Sequence, residues 1–587
     1  MAVPAYRVIL EGNVPAKMRD GTTLYADVWR PDAPGRFPVL ITRTPYDKMN
    51  HFRQMAFGLN PIRAVNEGYV VIIQDTRGRF TSEGNFYPFM HEMSDGYDTV
   101  EWAAGLPYSN GEVGMYGASY GAITQWMATI QRPPHLKAIF PVWMGDGAYE
   151  GTLYSGGAFQ LGLALYWAAV ILAPGELLRR AAAGQNVISM IGALKRAIDS
   201  MPQAYDQLPL RGTHSFLGDL APYYDDWLSH PDDGEYWERW RVSRHASQIY
   251  VPACSVGGWF DLYSGTVPKI FNAMPGHAGD EEARKGQKLI VGPWAHAVSD
   301  DAIGDLYFGV SATLAALDIT ALHLRWFDCW LKGQDNGIRN EPSIKLFIMG
   351  DNAWRNEHEW PLARTEWTNF YFHSASNANS VAGGGRLSPA LPAADEQPDV
   401  FHYDPHNPVP TAGGASLMPG VSTAANAGPK EQSRIESRED VLVYTTNPLE
   451  RDVEVTGPIT VTLFAATSAT DTDWTAKLVD VYPDGRAYNL ADGIIRARYR
   501  EGTDKGKLLE PGQSYEYRID LQTTSNVFKS GHRIRVQVSS SNFPRFDRNP
   551  NTGRVVADNS ELLPARQTVY HNSDQPSHIT LPIIPRG

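Results

Sequence analysis

Gly117-Ala118-Ser119-Tyr120-Gly121 lies between a valine-led run, Val113 to Tyr116, and a stretch without Gly or Pro, Ala122 to Gln131. The first run reads as a short buried strand and the second as a helix. A serine between two glycines at such a junction needs a sharp turn that glycine tolerates, and that turn lifts the hydroxyl out of the sheet as a nucleophile. The helix N-terminus behind it offers backbone N–H groups to a developing oxyanion. About 0.3 matches to the bare pattern are expected by chance in a chain of this composition, so its strand–helix setting is what carries weight.

The rest of the chain agrees with a sheet of this kind. Val39 to Thr42, Val70 to Gln74, Val113 to Tyr116 and Ala138 to Val142 are short apolar runs bounded by turn residues. Helical spacing fills the gaps between them, as in Met93 to Leu106. This alternation predicts an α/β fold with a largely parallel sheet, covering residues 1–146. From 147 to 246 the helical signals continue without strands, in Phe159 to Leu172 and Pro174 to Met201, with tryptophans at 227, 237 and 240. By fold-level analogy this is a helical cap inserted over the active site. The α/β pattern resumes over 247–352, with strands Ile249 to Val256 and Leu289 to Val291 and a helix through Leu324 to Leu331.

Beyond 353 the period changes to two. Ile459, Val461 and Leu463 alternate with Thr460 and Thr462, and Ile534, Val536 and Val538 with Arg533, Arg535 and Gln537. Strands of this kind separated by Gly, Pro and Asn turns predict a β-sandwich over 353–587. Ala382-Gly383-Gly384-Gly385 reads as a loop, and Asp471 and Asp473 as an exposed turn before a strand.

Composition narrows the function. A chain of 587 residues with a net charge of -13 and no dense basic run is not built to bind nucleic acid. Two cysteines, Cys254 and Cys329, are too few for a disulfide scaffold or a structural zinc site and read as small buried hydrophobes. No secretory signal is visible at the N-terminus, and Leu161 to Ala173 falls short of the roughly 18 residues that span a bilayer. The expectation is a soluble, cytoplasmic protein with neither membrane nor nucleic-acid partner, acting on a small-molecule ester, with a homodimer left open. His91-Glu92 lacks the second histidine of a zinc-binding H-E-x-x-H, and no metal or cofactor is expected.

A serine hydroxyl needs a base, and the base an acid. Gly257-Gly258-Trp259-Phe260-Asp261 follows the Ile249 strand, and Gly292-Pro293-Trp294-Ala295-His296 follows the Leu289 strand. Both side chains therefore belong at the carboxyl edge of the parallel sheet, where such sheets carry ligands, and in the chain order serine, acid, histidine. Ser119 is read as nucleophile, His296 as base and then acid, Asp261 as the group orienting the imidazole, and the Tyr120 N–H as one oxyanion donor.

These contexts, with Ile73-Gln74-Asp75-Thr76-Arg77-Gly78-Arg79 and Asn542-Phe543-Pro544, resemble the bacterial cocaine esterases. That family sits in a broader group with X-Pro dipeptidyl-peptidases and α-amino-acid ester hydrolases. Phe347-Ile348-Met349-Gly350, Thr475 to Val481 and Ser525 to Phe528 extend the resemblance over nearly the whole chain. It implies an α/β-hydrolase core, an inserted helical cap and a C-terminal jelly roll, without a cofactor. It also implies that Tyr46, in Arg43-Thr44-Pro45-Tyr46-Asp47, gives the second oxyanion donor through its phenol.

The substrate pocket is read from the same comparison. Asp261 is followed by Leu262, Tyr263 and Ser264, so the extra carboxylates expected for binding a substrate ammonium are absent, and Asp146 alone remains as an acid nearby. Trp167, Tyr263, Leu417 and Met418 are candidates for an apolar wall. Phe57 stands where the resemblance leads one to expect glutamine, and Leu153 where it leads one to expect tryptophan. The reading is a serine carboxylesterase for bulky apolar or aromatic acyl groups. An acylase or X-Pro-type dipeptidyl aminopeptidase on the same machinery is the alternative, and a glycan- or protein-binding jelly roll is the non-enzymatic one.

Overall fold

The structure is a computed structural model that describes residues 6–50, 58–212, 214–375, 377–418 and 426–586. Ten strands form the core sheet. Seven of them run parallel, in the spatial order Val70–Asp75, Phe37–Thr44, Ser109–Ala118, Leu136–Val142, Cys254–Phe260, Lys288–Ala295 and Ile344–Ile348. Val8–Lys17 and Thr23–Pro31 extend one edge antiparallel, and Ala353–Glu357 closes the other. The central strands are buried along their apolar stretches, which is why they read as apolar runs and not as alternations. The last edge strand had been assigned by sequence to the β domain. Its five residues, Ala353-Trp354-Arg355-Asn356-Glu357, have no apolar run to mark the sheet they join.

Two strand assignments shift in a way that matters. The strand expected over Ile249 to Val256 is Cys254–Phe260, and that over Leu289 to Val291 is Lys288–Ala295. Both run through the glycine-rich segments taken for turns. At Gly258 a side chain would reach 2.3 Å from the Trp294 carbonyl oxygen, so glycine lets these two strands lie backbone to backbone. Asp261 and His296 are brought together by that contact.

Between Leu136–Val142 and Cys254–Phe260 the chain leaves the sheet. The insertion is mainly helical, but it begins with a two-stranded hairpin, Tyr154–Ser155 with Ala158–Phe159, too short to show in a sequence pattern. A single helical rod runs from Leu161 to Ala182, with a widened π turn over Trp167–Leu172. The cause is Pro174: it lacks the N–H that would bond the Val170 carbonyl, and the Ala173 N–H reaches back to Ala168 instead. The rod is long and apolar enough to cross a membrane by composition, and 72% of its most apolar window is buried inside the protein.

The C-terminal region is an all-β domain of eleven connected strands. Ile459, Val461 and Leu463 point into its core with Trp474, Leu478, Ile534, Val536 and Val538. Asp471 and Asp473 are buried, not exposed. Arg496 donates to both oxygens of Asp473 at 2.9 and 3.0 Å, Arg498 to Asp471 at 2.8 Å, and Asn549 to both acids. These partners lie at least 23 positions away, beyond the reach of a local pattern. Arg535 and Gln537 likewise face inward, onto the buried Glu436. The β domain also touches the core behind Asp261, where the Thr523 hydroxyl donates to the Ser264 carbonyl at 2.6 Å.

Candidate active site

Ser119 follows Ser109–Ala118 and precedes the helix Tyr120–Ile130. Its backbone takes φ 56°, ψ -121°, a strained conformation for a residue with a side chain. Gly117, at φ 138°, makes the turn possible: a Cβ there would stand 2.7 Å from Thr42 Oγ1. Gln125 fastens the turn by donating to the carbonyls of Gly117 and Gly121 at 3.1 and 2.9 Å. Its own carbonyl accepts from the Phe140 N–H on the next strand at 3.0 Å. The helix starts one residue after Ser119, so the Tyr120 N–H belongs to the first turn, whose donors have no intrahelical partner.

The carboxyl ends of three strands converge at this point. His296 Nε2 is 3.0 Å from Ser119 Oγ, and His296 Nδ1 is 2.8 Å from Asp261 Oδ2. The other Asp261 oxygen accepts the Tyr263 N–H at 2.9 Å. Asp261 is fully buried and the imidazole nearly so. Such a chain can take a proton from the hydroxyl at Nε2 while the carboxylate holds Nδ1–H.

Tyr46 sits two residues beyond the end of Phe37–Thr44, on the same sheet edge. The Trp167 indole donates to its phenolic oxygen at 3.2 Å. An indole only donates, so the phenolic oxygen is the acceptor in this bond. Trp167 is itself stacked on Trp227, ring centroids 5.6 Å apart and 6° from parallel.

Two cavities meet over Ser119, sharing Tyr46, Trp167, His296 and Leu417 in their walls. The larger, about 130 Å³, extends past Thr42, Thr44, Asn50, Trp143 and Ile171. The smaller, about 40 Å³, lies between Phe89, Tyr120, Trp167 and Tyr263, closed by Ile123, Leu163 and Leu262. Among the described residues no Asp, Glu, Lys or Arg lines either one. No group of three or more His, Cys, Asp or Glu that could hold a metal ion occurs among them either.

Residues 20–298 match the family model described as X-Pro dipeptidyl-peptidase (S15 family). Residues 336–580 match the X-Pro dipeptidyl-peptidase C-terminal non-catalytic domain. Over 578 residues the chain is 40% identical to the cocaine esterase of Rhodococcus sp. (strain MB1 Bresler), covering 98% of both chains. The chain belongs to the cocaine esterase family. Like the rest of that family it is a serine hydrolase. Among solved structures, an aminopeptidase from a marine sediment Thaumarchaeota archaeon superposes with a TM-score of 0.80 at 27% identity, over 99% of this chain and 97% of that one. An α-amino acid ester hydrolase, 24% identical, shares the fold with a TM-score of 0.79 over 99% and 98%.

Within this member of the cocaine esterase family, the pocket residues expected from sequence divide. Trp167, Tyr263 and Leu417 line the cavities. Met418 does not: its thioether covers Gly162, where a Cβ would lie 2.6 Å from the sulfur. Phe57 lies outside the described residues. Asp146 is no open charge: it accepts from Ser243 N–H and Oγ at 2.7 and 2.6 Å and pairs with Lys269 at 3.4 Å.

Trp143 and Phe89 were missed. Trp143 directly follows the strand Leu136–Val142, so the strand-end position that identified Asp261 and His296 marks it too. Phe89 had no such mark; it reaches the cavity by stacking on Tyr120, 5.6 Å between centroids. The Tyr120 ring is held from below, its hydroxyl donating to Glu92 at 2.9 Å and accepting the Phe89 N–H at 2.9 Å. Glu92 in turn accepts from the buried Arg43 at 2.6 Å.

Proposed function

We propose that the protein is a carboxylesterase that works through an acyl-enzyme and prefers neutral esters of flat, apolar or aromatic acids. Ser119 Oγ attacks the ester carbonyl as His296 Nε2 takes its proton. The tetrahedral oxyanion is met by the Tyr46 phenol and the Tyr120 N–H. The intermediate collapses as His296 returns the proton to the leaving alcohol. Water, deprotonated by the same imidazole, then attacks the acyl-serine and frees the acid. Asp261 keeps Nδ1 protonated throughout. On this reading the acyl group enters the aromatic-walled smaller cavity and the alcohol the larger one.

One observation carries the choice of substrate: among the described residues no Asp, Glu, Lys or Arg lines the walls above Ser119. An aminopeptidase must pay for burying a substrate ammonium, and does so with a carboxylate at the site. Here the nearest acid expected from sequence, Asp146, is already satisfied by Ser243 and Lys269. The narrow cavity between ring faces also suits a planar acid better than a branched one.

The test compares aryl and alkyl esters of acetic, benzoic and pivalic acids with α-amino acyl amides. Benzoates are expected to give the highest kcat/KM, and preference for the amides would remove the esterase reading. Labelling by a fluorophosphonate is expected at Ser119. Ser119→Ala and His296→Ala should each lose on the order of 10⁴-fold or more in kcat.

A further inference from the structure

The stretch Asp75-Thr76-Arg77-Gly78-Arg79 contributes no group to either cavity over Ser119. Its side chains nonetheless end on the segments that do. Asp75 Oδ1 accepts the backbone N–H of Lys48 at 2.8 Å, and Oδ2 faces Lys48 Nζ at 3.3 Å. Arg79 Nε donates to the Pro45 carbonyl at 2.8 Å. The Thr76 N–H bonds the Thr44 carbonyl at 3.0 Å. Tyr46 lies between Pro45 and Lys48, so its loop is fastened on both sides by one short run of chain.

The same guanidinium reaches the helical insertion. Arg79 NH1 donates to the Leu172 carbonyl at 3.1 Å, at the end of the π turn that Trp167 begins. Trp167 closes the circuit through its hydrogen bond to the Tyr46 hydroxyl. A guanidinium holds its donors in a rigid fork that reaches carbonyls on two separate segments; a lysine ammonium gathers three donors at one point on a flexible stem and does not keep that spacing.

The charge itself is unusual. Arg79 is 2% exposed, and among the described residues no carboxylate lies within ion-pair distance of it. It is packed between the rings of Phe80 and Phe86, 5.3 and 4.8 Å from their centroids. Gly175 leaves room for it, since a Cβ there would meet Arg79 NH2 at 2.2 Å. A buried cation with no carboxylate in ion-pair contact among the described residues is costly, and two backbone carbonyls and two ring faces do not fully repay its desolvation. Its field favours negative charge nearby, and the reaction creates one beside Tyr46.

We propose that Arg79 and Asp75 are positioning residues that hold the Tyr46 hydroxyl at the oxyanion, Arg79 also locking that loop to the Trp167 turn of the insertion. The proposal rests on the reading of Tyr46 as an oxyanion donor. It gives a task to the motif that the triad leaves unused.

A double-mutant cycle on the full chain tests it, with an aryl benzoate as substrate and phenylboronic acid as a tetrahedral-anion probe. Arg79→Lys keeps the charge and loses the fork. It is expected to lower kcat on the order of 10²-fold, as a misplaced catalytic group does, with KM little changed and boronate affinity reduced in parallel. In a Tyr46→Phe background the same substitution should change kcat by less than about threefold, because coupled groups lose their effect together. Equal losses in both backgrounds, or a wild-type kcat in Arg79→Lys, overturn the proposal. Asp75→Asn run through the same cycle decides the matter if Arg79→Lys does not fold, with the same criterion of non-additivity. Tyr46→Phe at the wild-type rate overturns the oxyanion role of Tyr46 and this inference with it. A slow Tyr46→Phe with additive losses overturns this inference alone.

Discussion

The Trp167 indole N–H donates to the Tyr46 hydroxyl at 3.2 Å, joining a residue of the helical insertion to one of the sheet edge 121 positions away. The bond sets which way the phenol can give its proton. Tyr46→Phe is expected to lower kcat by about 10²–10³, the loss of one oxyanion donor. Trp167→Phe keeps a ring against Trp227 while removing the N–H together with the five-membered part of the indole; the hydrogen bond accounts for about fivefold in kcat, the worth of one net hydrogen bond of about 1 kcal/mol. Steady-state kinetics on one ester checks both. A larger fall in Trp167→Phe than in Tyr46→Phe would mean that the indole acts through packing.

Glu92 lies beneath Tyr120 and pairs with Arg43, both buried. Glu92→Ala leaves the guanidinium its hydrogen bond to the Gln74 side-chain carbonyl at 2.9 Å, but replaces its close counter-charge with Asp95 at 4.0 Å. A loss of about 3–5 kcal/mol is expected from urea unfolding midpoints. Glu92→Gln, which still accepts from the Tyr120 hydroxyl, should lose less and retain most activity.

Gly117→Ala combines a positive φ with a contact at Thr42 Oγ1. A cost of about 1–3 kcal/mol is expected, read as a drop in Tm, together with slower fluorophosphonate labelling as Ser119 is displaced. Adding Thr42→Ala removes the contact but not the backbone strain. Recovery should therefore be partial; full recovery would show that φ at this position is costless.

In the β domain His571 is wholly buried between two acids, Nδ1 3.3 Å from Glu396 and Nε2 2.9 Å from Asp399. His373 shares Glu396 at 2.9 Å and the Tyr444 hydroxyl donates to Asp399 at 2.8 Å. Burial works against the His571 cation, but the hydrogen bonds and charges of Asp399 and Glu396 prevail and raise its pKa above the ordinary value. A raised folded-state pKa contributes stability that is complete below the unfolded value, about 6.5, and is lost as pH rises through the folded value. The protein should therefore melt lower at pH 9 than at pH 6, with a smaller difference in His571→Gln. An equal pH dependence in the two would show that His571 is not linked to folding.

Much of the site was legible because its signals are local. A glycine-flanked serine, and an acid and a histidine each after a buried strand, are read from a few residues at a time. The strand limits were not, because glycines that read as turns at 257–258 and 292 lie inside strands whose backbones touch at Gly258. Alternation likewise predicted the inward face of the β domain. The reading of Asp471 and Asp473 as an exposed turn failed because their burial depends on Arg496, Arg498 and Asn549.

The chain alone determined the class of machine: a parallel sheet with a serine lifted at its carboxyl edge, a helical interruption, and a second domain of paired strands. Periodicity and turn chemistry suffice for that, since each is a property of neighbouring residues. Tertiary structure decided what surrounds the serine. It turned Leu417 to the cavity and Met418 to Gly162, and carried Phe89 and Trp143 to the walls. It set the Arg79 guanidinium between the carbonyls of Pro45 and Leu172, 34 and 93 positions away. The physical reason is the same in each case: a side chain's direction and partners are settled by packing between segments that the sequence order keeps far apart.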